Sequence, residues 1–403
     1  SANTTITTLS VSGAGTISLG TAGSGAVSLG SVDTVGAFTL DANASMATID
    51  INSIRAGSGV NVVSGTLGDF SASAINSTGG GFILDASKAG SASVVINTMS
   101  VANVDSAITM GSGAGTFTAG TINSGADFVL DATKSSAAFD LTSISASGVT
   151  ISLANNADLS SQVIGLAKAF TLDASAAASA DITLTNVSAS ASIGITLGGS
   201  ATFSAQTMDT VGAFTMTATG ANESIDAQNI SASGVTINLG LQADISASAI
   251  ISNTSITIDA SGSTTAQGVQ LETLAAVSGI SITMGAGSGS IAMITASAGT
   301  TFELSAARFD GDVNINTLGA NSGATVTIGS GGNFSASVIG TFAEGFTLNA
   351  QSTEASGETI TINEISASGM TMNMAAASLV SAEISSAELG AAAFAFSGGS
   401  NFN

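Results

Sequence analysis

The feature that most constrains the fold is a motif that recurs along the chain at a fixed spacing. The motif is Phe, one variable residue, then Leu-Asp-Ala, and it is complete at residues 38–42, 82–86, 128–132 and 170–174. Weaker copies follow, and the whole series keeps a nearly constant spacing of about 44 residues. Self-similarity at a fixed period indicates a repeat architecture. Function is therefore expected on a long regular surface rather than in one pocket.

A second motif lies between copies of the first and halves the period. It reads Ile-Ser-Ala-Ser-Gly-Val-Thr-Ile at residues 144–151, returns at 230–237, and returns again with Met substitutions at 365–372. From Thr150 to Thr371 the interleaved motifs make ten steps, which gives about 22 residues a step. The longer repeat is thus a pair of coils, termed A coils (Phe-x-Leu-Asp) and B coils (Ile-Thr-Met-Gly).

The pattern within each unit predicts short β-strands. Apolar and polar residues alternate strictly in runs such as 49–52 and 313–316, which is the period of a strand with one buried face. Clusters of Gly, Ser, Ala and Asn between the runs supply corners. Such strands bury their apolar faces only by stacking coil on coil. We predict an all-β parallel β-solenoid (β-helix) with about 22 residues per coil and alternating A and B coils.

The inward residues and the chain ends lead to two further predictions. We expect one inward ladder that contains Phe38, Val62, Phe82, Ile108, Phe128, Val149 and Phe170. We also expect residues 1–403 to form a single continuous solenoid. Because the pattern starts and stops within a unit, we interpret the chain as an excerpt of a longer repeat protein, with end-to-end stacking of copies as the alternative.

Composition restricts the chemistry that the chain can perform. Cys, His, Trp, Tyr and Pro are all absent, and five basic residues face 27 acidic ones. Without Cys and His, the chain lacks disulfides, thiolate nucleophiles and the commonest general base. A net charge of −22 argues against nucleic acid as a partner, and no apolar run is long enough to span a membrane. We therefore expect a protein that is not an enzyme.

Two rows of carboxylates recur with the coils. The first row ends the A-coil motif (Asp41, Asp85, Asp131, Asp173 and Asp259). The second, partial row is assigned to the B coils, where each Asp precedes an apolar residue (Asp69, Asp158 and Asp244). Since the B coils carry uncharged residues at the first-row position, like charges are expected about 9.6 Å apart, twice the strand spacing. The rows are interpreted either as solvated, register-fixing faces or as oxygen ligands for Ca²⁺.

One local cluster is the best candidate for a calcium site. In residues 310–316 (DGDVNIN), oxygen-bearing side chains alternate with apolar ones, so that Asp310, Asp312 and Asn314 would project from one face of a strand. Hard cations require oxygen ligands of this kind. The alternative is a strand with a polar outer face, since the spacing of an EF-hand loop is not met.

Two further functions compete for the same residues. A row of Thr along the coils is typical of ice-binding solenoids, but such faces carry two parallel Thr rows, and β propensity explains a single row equally well. Glycan-cleaving solenoid enzymes need clustered acids, and Asp310 and Asp312 lie near Arg308. Aromatic platforms for sugars are missing, however, because the chain has neither Trp nor Tyr.

The chain resembles the Ser/Thr/Ala/Gly-rich β-strand repeat regions of secreted bacterial surface proteins. The resemblance to S-layer proteins and type I-secreted repeat adhesins lies in composition and in phrases such as residues 169–175 (AFTLDAS) and 194–199 (GITLGG). It implies a non-enzymatic structural protein outside the cell, at the bacterial cell surface, that self-assembles into a layer or coat. The alternatives are the stalk of a large adhesin and a fibre of solenoids stacked end to end. Other copies of the chain, and cell-surface glycan or lipopolysaccharide, are the partners implied.

Overall fold

Short parallel β-strands joined by corners make up the part of the chain that the structure describes. The computed structural model describes residues 3–20, 25–66, 68–90, 92–113, 115–154, 156–218, 220, 224–262, 264, 268–329, 331–341, 343–350, 358–374, 380–390 and 394–397. Within these ranges there are 36 strands and no helix. The strands belong to two compact units, Ser1–Thr202 and Phe203–Asn403, each of which is described by itself.

In unit 1, long strands of eight or nine residues alternate with short strands of four or five. The long strands are β1 (Thr4–Val11), β3 (Val27–Thr34), β5 (Ile49–Ala56), β7 (Phe70–Ser77), β9 (Val94–Val101), β11 (Thr116–Ser124), β13 (Ala138–Ala146), β15 (Asp158–Leu166) and β17 (Asp181–Ala189). The short strands are β2 (Gly15–Ser18), β4 (Phe38–Asp41), β6 (Val60–Val63), β8 (Phe82–Ala86), β10 (Ser106–Met110), β12 (Phe128–Ala132), β14 (Val149–Leu153), β16 (Phe170–Ala174) and β18 (Ile193–Leu197).

In unit 2 the same alternation continues, with long strands of eight to ten residues and short strands of four to six. The long strands are β19 (Thr202–Thr210), β21 (Ser224–Ala232), β23 (Asp244–Ser252), β25 (Gly268–Ala276), β27 (Ser290–Ala298), β29 (Asp312–Ala320), β31 (Phe334–Thr341), β33 (Glu358–Ala367) and β35 (Val380–Leu389). The short strands are β20 (Ala213–Ala218), β22 (Gly234–Leu239), β24 (Ile256–Ala260), β26 (Ile280–Met284), β28 (Thr301–Ala306), β30 (Gly323–Ile328), β32 (Phe346–Ala350), β34 (Met370–Met374) and β36 (Phe394–Ser397).

Long strands stack on long strands and short strands on short strands, always in parallel. In unit 1, Phe38 pairs with Val60 and Val60 with Phe82, so one coil takes about 22 residues. In unit 2, Val235 pairs with Ile256 and Ile256 with Ile280, so coil length there varies slightly from one coil to the next. The predicted parallel β-solenoid and its period are confirmed. The extra residues of longer coils lie in the corners, because the paired strands keep nearly constant lengths.

Each long strand bends once near its middle. In β5 the first, third, sixth and eighth residues are buried, so the consecutive residues Asn52 and Ser53 both lie on the outside. Side chains along a straight strand alternate strictly between its two faces. Both halves of β5 can point their apolar side chains inward, despite two consecutive outward residues, only if the strand bends between them. Each coil therefore has three faces. The first and second faces are the first and second halves of the long strand, and the third face is the short strand.

The A and B coils differ in how they fill the interior. All A coils but one carry Phe at the first inward position of the short strand, and Phe38, Phe82, Phe128 and Phe170 have no exposed surface. In six of the nine A coils, the second inward residue of the long strand is correspondingly small: Ala72, Ala119, Ser161, Ala205, Ala247 and Ala336. Eight of the nine B coils have Ile or Leu at that position and no Phe in the short strand. The two-coil period is thus a period of core volume, as close packing requires.

The single inward ladder predicted from the sequence is wrong in register. Two ladders run along the third face. The first contains Phe38, Val60, Phe82, Ser106, Phe128, Val149 and Phe170, and the second contains Leu40, Val62, Leu84, Ile108, Leu130, Ile151 and Leu172. Val62 and Ile108 therefore belong to the second ladder. A shift by one full side-chain period preserves the inward and outward alternation, so the pattern alone cannot exclude it.

Candidate functional site

The first carboxylate row closes a corner of the coil. In each case, the Asp at the end of a short strand accepts the backbone N–H of the residue two positions later. The pairs are Asp41–Asn43 (3.1 Å), Asp85–Ser87 (3.0 Å), Asp131–Thr133 (3.0 Å), Asp173–Ser175 (3.0 Å) and Asp259–Ser261 (2.9 Å). This is an Asx turn, in which the side chain replaces a backbone acceptor. The row thereby has a structural task at the corner that follows the third face.

The second carboxylate row joins consecutive coils. Asp at the start of a long strand accepts the backbone N–H of the equivalent residue in the next coil. The pairs are Asp69–Ser93 (2.8 Å), Asp158–Asp181 (3.0 Å), Asp244–Gly268 (2.7 Å) and Asp312–Asn333 (3.2 Å). Each of these bonds extends the hydrogen bonding between coils by one position beyond the paired strand residues. It gives a partner to a backbone N–H that would otherwise have no backbone acceptor at the corner. Asp312 thus belongs to this row as well as to the predicted calcium cluster.

The predicted calcium ligands lie at the start of β29. Asp310 is in the preceding corner, while Asp312 and Asn314 lie outward on the first face. The Asp312 carboxylate accepts hydrogen bonds from the backbone N–H and the side-chain amide of Asn333, and the Asn314 carbonyl accepts one from the Ser335 hydroxyl at 2.6 Å. Among the described residues, no group of three or more acidic side chains converges as a metal would require. Calcium binding here stays a prediction.

Basic side chains connect coils at the surface of unit 1. The Lys88 ammonium donates to the Asn43 side-chain carbonyl at 2.6 Å, two coils earlier, and Lys168 lies 3.6 Å from the Asp127 carboxylate. Hydrogen bonds from the Ser87 hydroxyl and backbone lower the pKa of Asp85, and the nearby charges of Lys88 and Lys134 add to this effect. These interactions stabilise corners and do not converge on a common point.

A groove lies on the first face of unit 2. It has a volume of about 390 Å³ and crosses β23, β25, β27, β29 and β31 near their bends. Its sides carry amides, hydroxyls and one carboxylate, including Gln270, Glu272 and Asn316, while Ala292 and the exposed Ile294 give it an apolar centre. Such a surface offers hydrogen bonds and an apolar contact to an elongated neutral ligand.

The sequence patterns did not predict this groove. It forms where the long strands bend, and the only signal of a bend is a pair of consecutive polar or small residues between two alternating runs, as in Asn316-Thr317. Counting where the alternation changes phase would have located the bend in every coil. The identity of the groove residues carries no further signal, because similar residues occupy the same positions in coils outside it.

No protein-family model, no curated protein and no solved structure matches this chain. The stacked parallel strands show the fold of a β-repeat protein, while the likeness to S-layer proteins and adhesins stays a prediction. None of the described residues belongs to a helix that is long and apolar enough to cross a membrane.

Proposed function

We propose that the protein is a non-enzymatic structural protein of the bacterial cell surface, where copies assemble into a layer or coat. The observation that supports this most strongly is repetition of the outer surface. Within each unit, every coil presents the same three faces as its neighbours, one strand spacing further on. A contact that one coil makes with another copy is therefore offered again by the next coil, and many weak contacts add to a stable assembly.

The hydrogen bonding of the acidic residues supports the same proposal. In an enzyme that uses two carboxylates, the pair must face the reacting atoms across a gap of a few Å. Here the two carboxylate rows lie along the corners, where nine of them accept the backbone hydrogen bonds described above. Their regular spacing serves the stack of coils rather than one reaction centre.

Electron microscopy of the purified chain at high concentration tests the proposal. We expect ordered sheets to form in millimolar Ca²⁺, and their loss on chelation would additionally identify the cation as a component. Dispersed single particles under both conditions would contradict self-assembly and favour the stalk of a larger adhesin. Filaments without sheets would favour the fibre.

The groove of unit 2 favours a second, compatible role, namely contact with cell-surface glycan or lipopolysaccharide. Purified lipopolysaccharide titrated against the chain should bind, and the variant Gln270→Ala/Asn316→Ala should bind at least tenfold more weakly because it removes two amides from the groove. The matched control, Gln228→Ala/Asn123→Ala, removes two exposed amides from strands outside the groove. Equal binding by both double variants would exclude the groove as the contact.

A further inference from the structure

The three faces of the coil differ sharply in charge. In unit 1, the second face of β7 to β17 presents no charged residue. Its outward residues are Ala74, Asn76, Thr98, Ser100, Thr121, Asn123, Ser143, Ser145, Val163, Gly165, Asn186 and Ser188. The other faces of the same coils carry acids on the strands or directly before them: Asp69, Asp85, Asp105, Asp127, Asp131, Asp140, Asp158, Asp173 and Asp181. The uncharged strip is therefore specific to one face.

Unit 2 shows the same distribution independently. The second face of β21 to β31 has no charged residue either. Its outward residues are Asn229, Ser231, Ala249, Ile251, Thr273, Ala275, Thr295, Ser297, Thr317, Gly319, Val338 and Gly340. Acids again lie on or beside the other two faces of these coils: Asp226, Asp244, Asp259, Glu272, Glu303 and Asp312. Each unit thus leaves the same face uncharged over six consecutive coils.

Charged residues return to the second face beyond the two strips. They are Asp33 on β3, Arg55 on β5, Asp209 on β19, Glu364 on β33 and Glu388 on β35. Within unit 1 the strip is bordered by Arg55 at its β5 end, and within unit 2 the strip is bordered by Asp209 at one end and Glu364 at the other. A bounded uncharged surface limits the register in which two such strips can meet, because a displaced copy would bring carboxylates onto the apolar residues.

The uncharged strip also carries most of the large apolar side chains that strands expose. Among the described residues, five such side chains lie within strands. Three of them, Val163, Ile251 and Val338, are on the second face with 46%, 47% and 37% of their surface exposed. The remaining outward residues are short, and Thr273, Thr295 and Thr317 stack in one column over three consecutive coils. Val163 and Ile251 pair only with uncharged residues on the neighbouring strands, whereas Val338 at the end of its strip pairs with Glu364. Removing water from around Val163 and Ile251 is favourable because no charged group loses its hydration with them.

From these observations we infer that the second face is the surface through which two copies of this chain pair. The inference rests on the proposed self-assembly and names its contact. A molecule with a net charge of −22 repels its copies wherever acidic surfaces meet, so copies approach most closely where acids are missing. Two identical strips also have the same spacing between strands. Their columns of short side chains can therefore interdigitate along the whole strip, as they do between paired sheets.

The contact is expected to be weak for a single pair. Each strip is two outward residues wide, and its six strands span about 24 Å at roughly 4.8 Å between strands. Two outward residues span about 7 Å along a strand, so the strip covers on the order of 170 Å², well below the ~800 Å² per partner of a stable interface. Pairing should therefore require a high protein concentration, and salt should strengthen it by screening the acidic faces.

Sedimentation velocity over a concentration series, at low and at high salt, tests the inference with two charge-matched variants. Ser145→Glu/Ser297→Glu places one new carboxylate on the second face of each unit, at exposed positions. Thr183→Glu/Gln228→Glu places the same number on the first face, also at exposed positions. We expect the dissociation constant for self-association to be at least tenfold higher in the second-face variant than in the wild type. In the first-face control it should differ from the wild type by less than twofold. Circular dichroism confirms that all three chains are folded.

The possible failures separate the two levels of the proposal. If the wild type stays monomeric at every concentration and salt, self-assembly itself is refuted. If the wild type associates but both variants weaken it equally, association is real but does not use the second face. If only the first-face variant weakens it, the contact lies on the acidic side of the coil and the inference is overturned.

Discussion

At the scale of single residues, the Asp side chains act through geometry more than through charge. Asp131 accepts both the backbone N–H and the hydroxyl of Thr133, at 3.0 and 2.7 Å, and so fixes the corner after β12. The equivalent B-coil residue Ser152 makes no such turn among the described hydrogen bonds, although it pairs with Asp131 in the ladder. Hence the corner of an A coil depends on one side-chain oxygen.

Removing that oxygen should destabilise the chain, and removing the charge alone should not. Asp131→Ala deletes the acceptor of both bonds, and we expect a loss of about 1 kcal/mol in the free energy of unfolding. Asp131→Asn keeps the acceptor and should stay near the wild type. Urea denaturation of both variants measures the difference. Equal losses would show that the charge, and not the Asx turn, matters at this corner.

Asp85 should make the stability of unit 1 depend on acid pH. Its folded-state pKa is lowered, first by the hydrogen bonds from Ser87. The folded state therefore binds this proton less readily than the unfolded chain, so the stabilisation is present above the ordinary pKa of an Asp carboxyl and is lost as pH falls through the lowered value. Urea midpoints from pH 7 down to pH 3 should converge for the wild type and Asp85→Asn. At pH 7 the urea midpoint of Ser87→Ala, which removes one donor to Asp85, should lie between those of the wild type and Asp85→Asn. A difference between the wild type and Asp85→Asn that stays constant from pH 7 to pH 3 would contradict the prediction.

The calcium cluster can be tested by its effect on melting. If Asp310, Asp312 and Asn314 bind Ca²⁺ in the folded state only, millimolar Ca²⁺ should raise the melting temperature. Asp310→Asn/Asp312→Asn should abolish that rise. The control Asp140→Asn/Asp226→Asn removes two acids from the first face outside the cluster. A rise that survives in the cluster variant but not in the control would place the cation elsewhere.

At the scale of strands and coils, the sequence predicts what repeats and misses what joins the repeats. The alternation and the coil period predict stacked strands, because every coil must bury one face of each strand. Register is different: the motif aligns Thr196 with the row of Thr150 and Thr171, but Thr196 pairs with Asp173, while Gly194 pairs with Thr171. Two candidate registers differ by one full side-chain period, and only the length of the corner chooses between them. The rows, the bend and the groove all depend on those corners.

The volume relation within an A coil gives a prediction at this scale. Ala119 and Phe128 belong to one coil and are both buried. Ala119→Leu should overpack that coil and cost about 1–3 kcal/mol. The double variant Ala119→Leu/Phe128→Val reproduces the B-coil combination of Leu141 with Val149 and should recover most of the loss. Thermal unfolding measures both, and an additive, larger loss in the double variant would refute volume sharing between the two positions.

At the scale of the whole molecule, the proposed pairing of copies predicts that association depends on the distribution of charge. The chain has a calculated isoelectric point near 4.1, so lowering the pH toward 4 neutralises the acids on the first and third faces. Repulsion between copies then weakens, and we expect association to increase between pH 7 and pH 4 without loss of the β circular dichroism signal. Light scattering follows the change. Association that falls toward pH 4 would show that ionised carboxylates, with or without a cation, make the contact.

The pairing of every strand with its counterpart one coil earlier also bears on how the chain acquires its structure. The two partners are close in sequence, as Val235 and Ile256 are on the third face, and a finished coil exposes the unpaired edge that the following coil needs. Each unit can thus grow from one end as the polypeptide becomes available, with no contact waiting for a distant segment. Order can therefore spread through a unit coil by coil, so that coils that have closed stay ordered while the remaining coils are still unfolded.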